Sequence, residues 1–117
     1  MVRDTTIYCL ECADGRYYVG QTPRGRLARR FEEHLYYGGA KWTTRFAPIK
    51  IVWKFHVRCE LADEAEENAV FEIMLKRGRN SCRGGTFNVG RDVGIRGPRW
   101  LKGPYLEHWD AITAAGE

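Results

Sequence analysis

The chain has 117 residues, 44% apolar and 13% aromatic, with 19 basic against 15 acidic residues and a net charge of +4. That length fits one domain better than two, and the composition supports a packed core, which excludes a disordered chain as the starting expectation. No N-terminal apolar run resembles a signal peptide and no stretch approaches the ~20 apolar residues of a membrane span, so the cytoplasm is the expected location and no membrane is expected as a partner.

In chain order, Thr5 to Cys12 is rich in β-branched and aromatic residues and reads as a strand. Asp14-Gly15 supplies a turn that tolerates positive φ, and Arg16 to Gln21 reads as the returning strand of a hairpin. Thr22 offers a helix N-cap and Pro23 suits the first helical position. Leu27, Phe31 and Leu35 then make an apolar stripe, with Arg30 and His34 at the same spacing on an adjoining face. Gly38-Gly39 ends this helix. "AKWTTRFAP" follows as a basic, aromatic loop, and Ile49 to Cys59 reads as a third strand.

A second helix is marked by Asp63, Glu64, Glu66 and Glu67 near its start, Lys76 and Arg77 near its end, and Gly78 as its stop. "RGRNSCRGGTFNVG" is a glycine- and arginine-rich stretch, and "PYLEHWDAIT" reads as a short last helix. The expected fold is an α/β sandwich with a three-stranded, mainly antiparallel central sheet flanked by helices. Residues 1–117 are expected to form a single domain, with a core over about 5–90 and an extension over 91–117.

Charge is unevenly spread. The basic residues are 14 Arg and 5 Lys, a ratio that leans toward partners bearing phosphate. Residues 60 to 72 carry six acids and no base, whereas residues 76 to 102 carry eight bases against Asp92 alone. An acidic block in a protein that meets a polyanion needs a reason, and a metal site within it is one. Cys9 and Cys12 form a C-x2-C, but positions three apart in a strand point to opposite faces, so small buried hydrophobes are expected rather than a zinc site. Without an export signal, the four cysteines are expected as reduced thiols.

The residues that suit phosphodiester chemistry are Tyr8, Tyr18, Arg30, His34, Glu66 or Glu67, and Asn88. Cutting such a bond takes a base for the attacking water, cations over the phosphoryl oxygens, and commonly a metal held by carboxylate. Individually each residue has a plainer role, as strand aromatic, solvated arginine or first-turn acid. Their ordered series resembles the GIY-YIG nuclease family. The carriers are "TIY" at Thr6-Ile7-Tyr8, "YVG" at Tyr18-Val19-Gly20, "RxxxH" from Arg30 to His34, "AKWTTRF", the acidic helix ending "MLKRG", "RGG" at Arg83-Gly84-Gly85, and Asn88.

That resemblance implies a stand-alone member of the family: a divalent-metal-dependent endonuclease acting on DNA, in repair or recombination. Tyr18 is then the base or its close partner, provided that nearby cations or a metal-bound hydroxide lower its pKa. Tyr8 hydrogen-bonds around the same phosphate, Arg30 neutralises developing charge, and His34 orients or relays protons. Glu66 holds Mg²⁺ or Mn²⁺, with Glu67 and Glu72 as alternatives. Asn88 lies near the metal and the scissile phosphate, and Lys41 and Arg83 contact substrate. Trp42 and Trp100 contact it by stacking on unpaired bases or else pack in the core. Gly20 leaves room for the backbone to approach the ligand.

Thr6 stands where the first motif usually has glycine, and the stretch from Gly20 to Arg30 is two residues longer than usual. Arg29 and Arg26 are therefore alternatives to Arg30, which is favoured by its spacing to His34. A partner protein or a homodimer is the expected aid to targeting, and "GAKWTTRF" and Thr86 to Trp109 are the expected contact surfaces for DNA. The competing readings are a noncatalytic nucleic-acid binder on the same scaffold and an arginine-rich adaptor.

Overall fold

Asp4–Cys12 forms the central strand, β1, because its alternating residues each find an apolar layer to enter. The computed structural model describes residues 4–85, 87–94, 96–98, 101 and 104–115. After a turn over Ala13–Gly15, with Asp14 at φ 60° and Gly15 at φ 69°, β2 returns over Arg16–Pro23. The Asp-Gly expectation holds here.

β2 runs two residues beyond Gln21, so the expected helix start at Thr22-Pro23 is corrected. Thr22 and Pro23 pair with Thr6 and Thr5 across the ladder. Pro23 closes the strand, where a missing N–H costs little, and Gly25 at φ 91° makes the bend. Helix α1 spans Leu27–Tyr36, and no side chain caps it.

"AKWTTRFAP" is not simply a loop, because Lys41–Arg45 forms one helical turn, α2. Trp42 is 1% exposed, its indole Nε1 donates to the Tyr17 carbonyl at 2.9 Å, and its ring meets Phe46 edge-on. Strand β3 covers Pro48–Arg58 and α3 covers Ala62–Arg77, stopped by Gly78 at φ 105°. β4 is Cys82–Gly84, and α4 is Pro104–Ala115.

The sheet order is β3-β1-β2-β4. β1 pairs antiparallel with β2 and β3, while β4 lies parallel to β2 at Tyr17–Val19. The expected α/β class is present, but the sheet has four strands and is mixed rather than three-stranded. A three-residue strand shows no alternation to read, and this one depends on Gly84. At φ 148°, a Cβ there would run into the Val19 carbonyl oxygen.

Ile7, Cys9 and Val19 face Val70 and Met74 of α3 and Trp109 and Ile112 of α4. Tyr8, Leu10 and Cys12 face Leu27 of α1 with Trp42 and Phe46. Cys9 and Cys12 thus enter opposite layers, as their spacing implies, and burial pushes both thiols up to about 12. Full burial of each large apolar side chain in these layers is worth about 1.5–3 kcal/mol. Trp109 and Phe87 belong to this packing, their rings stacked at 5.7 Å, so these two aromatic rings are core. Trp100 and Thr86 lie outside the described residues. No helix among the described residues is long and apolar enough to cross a membrane.

Candidate active site

β4 pairs with β2 only as far as Val19, so the β2 edge at Gly20–Gln21 is open, flanked by α1 on one side and α3 on the other. A cleft of about 400 Å³ lies there, lined by Tyr8, Tyr18, Gln21, Arg30, Asp63, Glu66, Glu67 and Gly85. Period-2 alternation explains the mix. Tyr18 and Gly20 sit on the α1 side, and Gln21 follows Val19 on the α3 side.

Tyr8 is 0% exposed, and its hydroxyl lies 2.9 Å from His34 Nε2. His34 Nδ1 lies 2.9 Å from the Thr43 hydroxyl, which itself donates to the Ala40 carbonyl. That direction makes Nδ1 the donor to Thr43, and in the neutral ring Nε2 accepts from the Tyr8 hydroxyl. Burial, then the Arg30 charge, hold the His34 pKa down at about 4. At 2% exposed it is far more buried than Leu35, at 37%, which corrects the Leu27–Phe31–Leu35 stripe. α1 is rolled so that Leu27 and His34 point inward.

Gly20 leaves room for Tyr8. A Cβ at position 20 would sit 2.5 Å from Tyr8 Cζ and 3.0 Å from Tyr18 Cε2. The two tyrosines flank His34 at ring separations of 6.0 and 4.9 Å. Tyr18 is the partly buried one, open to the cleft. Its pKa is raised by burial and then by the Glu66 charge, and Arg30 opposes this without winning. Tyr8 is likewise raised, first by burial and then by Tyr18. Of the two influences expected from sequence to lower Tyr18, the nearby cation Arg30 acts in that direction but is outweighed by burial and Glu66.

Arg30 Nη1 donates to Glu33 Oε2 at 3.0 Å, and Nη2 donates to the Gly39 carbonyl at 3.1 Å. These bonds aim the guanidinium into the cleft, where its charge acts on both phenols. Arg26 and Arg29 are exposed and outside it.

Glu66 is buried in the line Ala62, Glu66, Val70, Met74 along α3. Its Oε1 accepts from the Gly85 N–H at 2.7 Å and its Oε2 from Gln21 Nε2 at 2.5 Å. The same Gln21 amide donates to Asp63 Oδ1 at 2.8 Å. Burial raises the Glu66 pKa, the two hydrogen bonds lower it, and Asp63 and Glu67 raise it again. Each carboxylate oxygen uses one lone pair on a protein donor and keeps one. That set suits a hard divalent ion such as Mg²⁺, which is typically held by one or two carboxylates and completes its sphere with water and phosphate oxygens. Glu67 also lines the cleft. Glu72 lines a separate groove with Trp53, Lys54 and Lys76, so it does not share the site.

Lys41 and Asn88 line a neighbouring depression that shares Tyr18 but not Glu66. Trp42 borders it as well, yet its ring is core and is not available for stacking on a base. Arg83 departs furthest from expectation. It is 0% exposed and cannot touch substrate. Nε donates to the Val89 carbonyl at 2.9 Å, Nη1 to the carbonyls of Arg79 and Cys82, and Nη2 to Asn80 Oδ1 and the Arg91 carbonyl. All five N–H groups are used, and the plane lies 4.5 Å from the Trp42 ring. Burial brings its pKa down to about 10, leaving it charged at neutral pH. In "RGG", then, Arg83 braces the loop, Gly84 allows β4 to close on Val19, and Gly85 presents its N–H to Glu66.

Sequence reasoning misses Gln21, Asp63 and Thr43. Gln21 is findable by alternation from Val19, and Asp63 by its i−3 spacing to Glu66.

Among curated proteins, the chain is similar to a UPF0213 protein of Streptococcus pneumoniae serotype 4, 43% identical over 71 residues, covering 61% of this chain and 65% of that one. It is also similar to the UPF0213 protein H16_B0156 of Cupriavidus necator, 37% identical over 71 residues, covering 61% of this chain and 70% of that one. The chain thus spans about two thirds of the length of these relatives. No solved structure gives a significant match. The GIY-YIG catalytic domain matches residues 5–83, which hold Tyr8, Tyr18, Arg30, His34 and Glu66. On that match over more than half its length, the chain belongs to the GIY-YIG nuclease family.

Proposed function

We propose that this protein is a divalent-metal-dependent endonuclease that hydrolyses DNA phosphodiester bonds in the cleft between β2, α1 and α3. The observation that carries this reading is the convergence of Tyr18, Arg30 and Glu66, from three separate elements, on one opening. Glu66, with Asp63 or Glu67 beside it, holds the metal, Mg²⁺ or Mn²⁺. When bound, that ion supplies Lewis-acid stabilisation of the phosphoryl oxygens and eases ionisation of nearby O–H groups.

Arg30 is held by Glu33 and Gly39, so its remaining N–H groups meet the phosphoryl oxygens without reorganising as negative charge grows there. Tyr18 Oη orients the attacking water and takes part in moving its proton. Tyr8 is too enclosed to bind phosphate freely. Through its bond to His34 it fixes the floor on which Tyr18 rests. In the hydrolysis, water oxygen bonds to phosphorus, the bond to the departing sugar oxygen breaks, and that oxygen receives a proton. One observation favours the noncatalytic alternative: Tyr18 is shifted away from ionisation by burial and then by the Glu66 charge.

The test is incubation of the full chain with plasmid and branched DNA, with Mg²⁺ or with a chelator. Metal-dependent nicking that disappears in Arg30→Ala and in Glu66→Ala is the expected result. DNA retention without cleavage under any divalent ion overturns the enzymatic reading.

A further inference from the structure

The lining of the cleft carries more acidic than basic side chains. Among its lining residues, Asp63, Glu66 and Glu67 stand against Arg30 alone. The positive charge lies elsewhere. At the other end of the same sheet edge, a polar depression of about 400 Å³ contains Arg16, Arg77 and Arg79, with Asp14 and Asp92 at its rim. We infer that this arginine depression is a second nucleic-acid contact, a clamp on the phosphodiester backbone of the strand or duplex whose scissile phosphate occupies the cleft.

Three observations carry the inference. First, the arginines are held in place mainly by neutral groups. Arg16 donates to the Asn80 carbonyl, Arg79 Nε donates to the Val93 carbonyl, and the Arg77 guanidinium lies 4.8 Å from the Tyr17 ring. Asp92 is shared between Arg16 and Arg45, so one carboxylate answers two cations. A helix-dipole role accounts for Arg77 in the last turn of α3, but not for Arg16 and Arg79 at the same spot. Such preorganised cations with spare donors suit phosphate oxygens.

Second, the depression and the cleft are joined by rigid elements. β4 begins just after Ser81, which lines the depression, and ends just before Gly85, which lines the cleft. β2 leads from Arg16 to Gln21, and α3 from Glu66 to Arg77. At about 3.3 Å per strand residue and 1.5 Å per helical residue, these paths all give roughly 13–16 Å. Third, that distance is about four to five steps of a duplex at 3.4 Å each, a separation one bound nucleic acid spans without bending.

The inference rests on the nuclease reading, and binding separates the two. The full chain carrying Glu66→Gln is mixed in chelator with labelled duplexes of about 20 base pairs, DNA in one arm and RNA in the other, across a KCl series. Adding Arg77→Ala and Arg79→Ala is expected to weaken binding about tenfold and to flatten the slope of log affinity against log salt by about 1.8, at about 0.9 for each phosphate no longer neutralised. Arg77→Lys with Arg79→Lys restores most of the slope, which excludes a folding defect. Lys50→Ala with Lys54→Ala removes the same charge from β3, at the other edge of the sheet, and is expected to change affinity less than about twofold.

The arm showing the slope change identifies the backbone. An unchanged slope in the arginine pair, or an equal loss in the lysine pair, overturns the clamp and leaves the nuclease reading standing. Patch-dependent binding without any cleavage by the unsubstituted chain does the reverse. Failure of the Glu66→Gln chain to bind either duplex overturns the clamp and leaves the nuclease reading to the cleavage test.

Discussion

Glu66 and Arg83 are both charged side chains taken out of water, and they are held in opposite ways. Arg83 uses five of five N–H donors on neighbouring carbonyls and on Asn80, and shows no surface. Glu66 uses one lone pair on each oxygen, for Gly85 and Gln21, and turns the rest toward an open cleft. A buried charge whose bonding capacity is exhausted acts as a brace. One whose capacity is half used has room for a ligand. The two are linked, because Arg83 organises the segment that delivers the Gly85 N–H to Glu66.

The comparison breaks most sharply at the cleft. Arg30→Ala is expected to lower single-turnover cleavage by about 10²–10³ while leaving the thermal midpoint close to that of the unsubstituted chain. Arg83→Met reverses the pattern. It leaves several buried carbonyls unpaired and is expected to cost about 3–5 kcal/mol in urea unfolding.

His34 supplies the next effect, and it depends on pH. Its folded pKa is about 4, below the ordinary value near 6.5, so the unfolded chain takes up the proton first. Stability contributed by the neutral ring is full above about pH 6.5 and falls as pH drops toward 4, by up to about 3 kcal/mol. Urea midpoints at neutral and acid pH should show this fall, and His34→Gln should remove it. Gly20→Ala pushes a methyl into Tyr8 and is expected to cost about 1–3 kcal/mol with a parallel loss of cleavage. Arg26→Ala, on the exposed part of the same arginine run, is expected to alter cleavage by less than about twofold, which sharpens the assignment of Arg30.

Much of this is legible in the sequence because local chemistry and global fold agree. The Asp14-Gly15 turn, the acid-to-base polarity of α3 and its Gly78 stop follow from residue preferences alone. Alignment with Val70 favours Glu66 over Glu67, and the buried line along α3 has that spacing. The misreadings occur where long-range contacts overrule local signals. Thr22 and Pro23 carry a helix-start signature, but pairing with β1 extends the strand through both. Arg83 looks like a phosphate ligand in a glycine- and arginine-rich stretch. Only the fold reveals that five acceptors surround it.

His34 reads from sequence as a cleft residue beside an apolar stripe, and its partner Thr43 lies nine positions away in a turn whose existence the sequence does not announce. β4 is the clearest case. Three residues carry no periodicity, yet where they stop pairing with β2 decides where the cleft opens.

The central claim is that the spare capacity of Glu66 is used for a divalent ion during phosphodiester cleavage. The most direct measurement is single-turnover cleavage of a DNA substrate against Mg²⁺ concentration, for the unsubstituted chain and for Glu66→Gln, with far-ultraviolet circular dichroism to check the fold. The unsubstituted chain should show saturable Mg²⁺ dependence, and Glu66→Gln should fold normally and cleave at least about 10²-fold more slowly at every concentration. A folded Glu66→Gln that cleaves at the unsubstituted rate with the same Mg²⁺ dependence would contradict the claim.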